Sequence, residues 1–146
     1  MREVKKRHLC LFLLLIIMVS CLGTVYVEAV NTNMPKGEKI GNYSVTATSL
    51  RAVNSFSMDI PAGKIMSADT SFSLAAGETV TIDAVYDPVT ASVDFGLIAP
   101  NGLFYPVRAS DGHIQATLKV PSRGKYTLAV RNNSDYEISV SGFVNY

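Results

Sequence analysis

Apolar and polar residues alternate in run after run of the chain, and this period of two constrains the fold more than any other feature. Residues 79–86 put Val80, Ile82, Ala84 and Tyr86 on one side. Val93, Phe95 and Leu97 follow, set against Asp94, Gly96 and Ile98. Then come Ile114, Ala116, Leu118 and Val120, then Tyr126, Leu128 and Val130, and last Ile138 and Val140, with Phe143 on the polar side. Successive side chains of a strand point to opposite faces, so each run predicts a strand buried on one face. Residues 43–47, 56–60 and 72–74 are shorter runs of the same kind. Pro100-Asn101-Gly102, Pro121-Ser122-Arg123-Gly124 and Asn132-Asn133-Ser134-Asp135 lie between runs and suit tight turns. No window beyond residue 30 repeats apolar residues at helical spacing over three turns, and there is no internal repeat. About eight short strands at this spacing predict an all-β, antiparallel β-sandwich, jelly-roll-like in outline. One-sided burial favours two packed sheets.

The N-terminus predicts the compartment. Arg2, Lys5, Lys6 and Arg7 precede an apolar block over residues 9–22, and Val27-Glu28-Ala29 offers small and aliphatic residues at a signal-peptidase cut. Cleavage between Ala29 and Val30 is the expected outcome, with residues 1–29 as signal peptide. Two others stay open. Met18-Val19-Ser20-Cys21 resembles a bacterial lipobox, in which Cys21 would be acylated. Residues 9–27, left uncut, approach the roughly 17–25 residues of a membrane helix. All three export the domain, either secreted or tethered to the outer face of the membrane, and only the last two involve a membrane. Residues 30–41 (VNTNMPKGEKIG) lack a period and read as a flexible spacer, leaving 42–146 as the β-sandwich domain.

Both cysteines, Cys10 and Cys21, fall in the export segment. The mature domain therefore has no disulfide, thiol nucleophile or zinc–thiolate site, and core packing alone must stabilise it. Of 13 basic and 12 acidic residues, four and two lie in the first 29, so the remainder carries 9 and 10. A net charge near −1 leaves no electrostatic footprint for nucleic acid.

Catalytic chemistry has little to work with. Nucleophilic catalysis needs a base beside the nucleophile, and the mature domain has one histidine, His113, on the polar side of its run. Asp83, Asp87, Asp94 and Asp111 are the carboxylates a minimal hydrolase would use, but no spacing gathers them. Asp94 stands alone on its strand, and Asp83 and Asp87 read as exposed edge carboxylates. No D-x-D-G spacing marks a calcium loop. The expectation is no catalytic residue, no metal site and no cofactor. Tyr105 and Arg108, after the Pro100-Asn101-Gly102 turn, are the expected ligand contacts, one ring of Phe104-Tyr105 facing outward and the other the core. Phe143 and Tyr146 are expected to pack or finish the last strand. Asn42-Tyr43-Ser44 and Asn132-Asn133-Ser134 match the glycosylation pattern and read as turns.

From Ser71 onward, a further set of short elements occurs in a fixed order. These are Phe72-Ser73-Leu74, Ala76-Gly77-Glu78-Thr79-Val80, Val93-Asp94-Phe95-Gly96-Leu97, Pro100-Asn101-Gly102, Val120-Pro121, Gly124-Lys125-Tyr126-Thr127-Leu128 and Ile138-Ser139-Val140-Ser141-Gly142. This order resembles the pre-peptidase C-terminal domain family. The resemblance implies a jelly-roll-like sandwich that rides on secreted enzymes as a non-catalytic module. The expected function is accordingly a secreted or cell-surface binding module, a monomer without cofactor, whose partner is an extracellular protein or an envelope polysaccharide. The alternative is an accessory or inhibitory module acting on a separate extracellular enzyme such as a peptidase. A further possibility is self-assembly through an unpaired edge strand.

Overall fold

A computed structural model describes residues 30–41, 45–48 and 54–146, with side chains for 33–41 and 54–146. The Ala29 cut, Cys21 and the Asn42-Tyr43-Ser44 pattern lie outside the described residues. Eleven strands and no helix are found among those residues: β1 (Val30–Asn33), β2 (Val45–Thr48), β3 (Ser55–Ile60), β4 (Ile65–Ala68), β5 (Phe72–Leu74), β6 (Thr79–Asp87), β7 (Val93–Ile98), β8 (Phe104–Arg108), β9 (His113–Lys119), β10 (Gly124–Asn132) and β11 (Ile138–Asn145). The first sheet runs β1-β9-β6-β11-β3; the second runs β2-β4-β10-β7-β8, with β5 also on β10. Pairing is antiparallel throughout except for β1 on β9 and β2 on β4. The all-β sandwich expected from the alternation is therefore the fold.

Alternation becomes burial along the first sheet. Val80, Ile82, Ala84 and Tyr86 of β6 are buried, as are Ile114, Ala116 and Leu118 of β9 and Ile138, Val140 and Val144 of β11. Across the gap they meet Val93, Phe95 and Leu97 of β7 and Tyr126, Leu128 and Val130 of β10. The fully buried Tyr126 keeps its hydroxyl satisfied by donating to the Ser122 carbonyl at 2.8 Å, so the Pro121–Gly124 turn is tied to the core. At the opposite end, fully buried Asn132 donates from Nδ2 to the carbonyls of Ile60 (3.0 Å) and Tyr136 (2.7 Å) and accepts from the Ser134 N–H at 2.9 Å. Its amide nitrogen is committed to the fold, which agrees with reading Asn132-Asn133-Ser134 as a turn. Gly96 is required where β8 crosses β7, because a Cβ there would lie 2.1 Å from the Tyr105 carbonyl oxygen.

Residues 30–41 are not the flexible spacer expected from their lack of period. Val30–Asn33 forms β1 beside β9. Glu38 then exchanges two backbone hydrogen bonds with Phe104, at 2.7 and 2.9 Å, on the free side of β8. Ile40 packs on Ile65, Phe104 and Ala129, which are at most 1% exposed on the outer face of the second sheet. Four residues on one sheet and one bridge on the other leave no run long enough to show a period. β4 and β8 add to the strand count for related reasons. Met66 aside, β4 is buried on both sides. β8 contains Pro106, which has no N–H to give to a second neighbouring strand and so belongs at a sheet edge.

A chain that begins at Asn42 tests this correction. Exposing Ile65 and Phe104 is expected to lower unfolding free energy by about 3 kcal/mol or more, read as a reduced guanidinium midpoint; a true spacer would leave the midpoint unchanged.

Candidate functional site

The polar residues of the second sheet form a cross-strand row. Register places Asp94 of β7 between Arg131 of β10 and Arg108 of β8. Asp94 Oδ2 accepts from Arg131 Nε at 2.9 Å, from Arg131 Nη2 at 2.7 Å and from Asn133 Nδ2 at 2.8 Å. Its Oδ1 faces Arg108 Nε at 2.7 Å, and Arg108 Nη1 donates to Ser92 Oγ. The remaining Arg131 nitrogen, Nη1, reaches Glu38 at 2.8 Å, and its guanidinium lies 5.4 Å from the Phe104 ring centroid. Burial works against the Arg131 charge, but the hydrogen bonds and charges of Glu38 and Asp94 outweigh it and hold its pKa above the usual arginine value. Asp94 is the one carboxylate of β7, as the sequence suggested, but its neighbours in register are two arginines on the adjoining strands. It is a buried acceptor held by two guanidinium groups and an amide, an arrangement that ties the three strands of the row together.

The two expected ligand contacts lie apart. Arg108 shares its side of β8 with Phe104, and its side chain is 60% exposed. Tyr105 shares the inner side with Val107, packs against the main core and accepts from Asn101 Nδ2 at 2.8 Å. Its ring borders a cleft of about 330 Å³ with Met34, Lys119 and Pro121. Phe104, the ring on the outer side, is buried beneath Ile40. His113 is exposed on β9, with Nδ1 3.4 Å from the Asp111 carbonyl oxygen. Asp83, Asp87 and Asp111 are exposed. Among the described residues, no group of three or more His, Cys, Asp or Glu side chains is placed to hold a metal ion.

What the sequence reading missed is the outer face of the first sheet. Phe143 of β11 and Val85 of β6 are each 56% exposed there. Register sets Phe143 beside Asp83 and Val85 beside Ser141. With Ser55, these residues line an open cleft of about 330 Å³. Both apolar side chains sit at positions where the alternation calls for polar ones, and that phase error was the available signal. Tyr146 behaves as expected, stacking on Phe72 with ring centroids 4.2 Å apart. Phe143 lies in the last strand, as expected, with its side chain 56% exposed.

No family model matches the sequence, and no curated protein matches it. The likeness is structural. The fold is similar to a pre-peptidase C-terminal domain. That domain belongs to a collagenase from Bacillus anthracis; the match covers 70% of this chain and 96% of that one, with a TM-score of 0.51 and 15% identity. The resemblance carried by the residues from Ser71 onward therefore holds at the level of fold. PliG from Aeromonas hydrophila, a periplasmic inhibitor of g-type lysozyme, matches over 69% of this chain and 97% of its own, with a TM-score of 0.45 and 15% identity.

Two substitutions separate structural charge from exposed charge. Asp94→Ala leaves Arg131 without its buried partner and is expected to cost about 3 kcal/mol, whereas Arg108→Ala is expected to cost less than about 1 kcal/mol. Guanidinium denaturation measures both, and equal losses would refute the assignment of Asp94 as the centre of the row.

Proposed function

We propose that the chain is an exported, non-catalytic β-sandwich module that binds an extracellular partner, a protein or an envelope polysaccharide, through the open face of its first sheet. One observation carries the reading: Phe143 and Val85 stand more than half exposed on a face whose other described side chains on β3, β6, β9 and β11 are Ser, Thr, Asp, Asn, Gln, His and Lys. A folded chain holds such side chains in water at a cost, and an apolar centre ringed by polar groups is the anatomy of a binding patch. An aromatic ring beside Asp83 and Ser141 suits either a protein side chain or the apolar face of a sugar. The outer face of the second sheet differs, because Ile40 covers Ile65, Phe104 and Ala129, and Arg108 and Arg131 pair with Asp94.

The likeness to a domain of a collagenase supports a narrower version, in which the protein partner is an extracellular enzyme and this chain is its accessory or inhibitory module. Tyr105 and Arg108 provide separate contacts that the same experiment addresses.

The test is retention of secreted proteins and envelope polysaccharides on the immobilised protein, compared with the Val85→Thr/Phe143→Ser double variant. The variant is expected to lose about 2 kcal/mol of binding, a thirtyfold or greater drop in affinity, as central aromatic contacts do, while its unfolding free energy stays within about 0.5 kcal/mol of the parent. Undiminished binding by the variant, with loss in Tyr105→Ala or Arg108→Ala, would move the site to β8. Hydrolysis of a retained polysaccharide or protein would refute the non-catalytic reading.

A further inference from the structure

The four edges of the two sheets are not equally protected. β1 and β2 are edges of four residues each. β8 carries Pro106, and Glu38 bridges its free side at Phe104. β3 is the longest edge strand at six residues, with neither Pro nor Lys in SFSMDI, and among the described residues it pairs with β11 alone. Short length, proline, charged side chains and covering segments are the means by which proteins blunt an edge; among the described residues β3 has only one of them, the single charge of Asp59 near its end.

The backbone groups that β3 leaves free follow from its register. The Val144 N–H donates to the Asn54 carbonyl at 2.8 Å, one position before the Ser55–Phe143 pair. Bonded and unbonded pairs alternate in an antiparallel ladder. Phe56, Met58 and Ile60 therefore turn their backbone groups toward β11, and Ser55, Ser57 and Asp59 turn theirs outward.

We propose that β3 is a homodimer interface, in which two copies of this chain pair their β3 strands antiparallel about a two-fold axis at Ser57. An antiparallel pair of identical strands is self-complementary, the property a closed dimer requires. This register forms three bonded pairs and about six hydrogen bonds. It sets Ser55 opposite Asp59 of the second copy, a hydroxyl against a carboxylate. Asp59 already makes that contact within the chain, where Ser139 Oγ donates to it at 2.7 Å. A two-fold axis at Asp59 would instead oppose like charges, which destabilises a strand pair, and one at Ser55 would leave Asp59 outside the ladder. The two first sheets become one continuous sheet whose outer face carries two copies of Phe143 and Val85. The proposal departs from the monomer expected from sequence and does not depend on the binding reading above.

Sedimentation velocity on the secreted protein over a wide concentration range is the test. The weight-average mass is expected to rise toward twice that of the monomer. Ser57→Pro removes an outward N–H that no bond inside the chain uses, so it should stay monomeric, whereas Ser57→Ala should dimerise like the parent. Should Ser57→Pro fail to fold, single cysteines decide the register. The processed domain has no other thiol, so mild oxidation is expected to link Ser57→Cys into a disulfide dimer and to leave Asp59→Cys unlinked. A parent that is monomeric at every concentration overturns the proposal, as does a dimer that a folded Ser57→Pro variant retains or that links through Asp59→Cys instead.

Discussion

β7 and β10 are covered on both faces, and the rest of the molecule is arranged around that requirement. Phe95, Leu97, Leu128 and Val130 are fully buried toward the first sheet, while Ala129 is equally buried on the other side of the same ladder. A sheet with water on its outer face needs no such cover. Here Ile65, Phe104 and Ala129 demand it, and Ile40 supplies it together with Ile98 at the cluster's margin. The cover is held by backbone bonds between Glu38 and Phe104 and by the ion pair from Glu38 to Arg131. Arg131 is itself fixed by Asp94, so the buried carboxylate and the covering segment belong to one device. With no cysteine beyond residue 21, this second layer of packing takes the place that a disulfide often has in exported domains of this size.

The parts legible in the sequence were those where one strand buries one face. β6, β9 and β11 carry the alternation, with Val85 and Phe143 as its apolar exceptions, and their buried sides follow it. The period fails where burial is two-sided, as in β7, whose pattern is buried nearly throughout. There Asp94 looked like a lone polar residue in phase with solvent, because sequence spacing does not reveal that Arg131 and Arg108 are its neighbours in register, 37 and 14 positions away. The lead segment was missed for the opposite reason. Its contacts fall on two sheets in turn, so no local window contains enough of either. Phe143 and Val85 were visible all along as apolar residues at the wrong phase, yet a pattern search rewards matches and passes over its exceptions.

The two outer faces now differ in kind. One is partly covered by its own chain at Ile40 and carries the Arg131–Asp94–Arg108 row. The other is open, flat and mostly polar, with an aromatic ring and a valine near its centre. A face of this sort costs the isolated domain some solubility, so its persistence beside a partly covered counterpart is the physical basis for locating partner contact there. Exposed strand edges pose a similar problem, and the chain answers it unevenly: Pro106 and Glu38 protect β8, while among the described residues nothing pairs with the free side of β3. The open face and the bare edge adjoin each other through β11.

The position of the covering segment also couples the fold to the fate of the N-terminus. β1 begins at Val30, the residue after the expected cut. Cleavage at Ala29 places the new terminus at the start of an edge strand, and nothing is lost from the cover. Acylation at Cys21 would leave eight residues, 22–29, between the lipid and β1, a reach of at most about 29 Å when fully extended. The β1 edge of the first sheet would then be held near the membrane while β3, at the far side of the same sheet, points away from it. In the acylated case alone, β3 would lie at the edge of the first sheet farthest from the tether, because β1 is at the opposite edge.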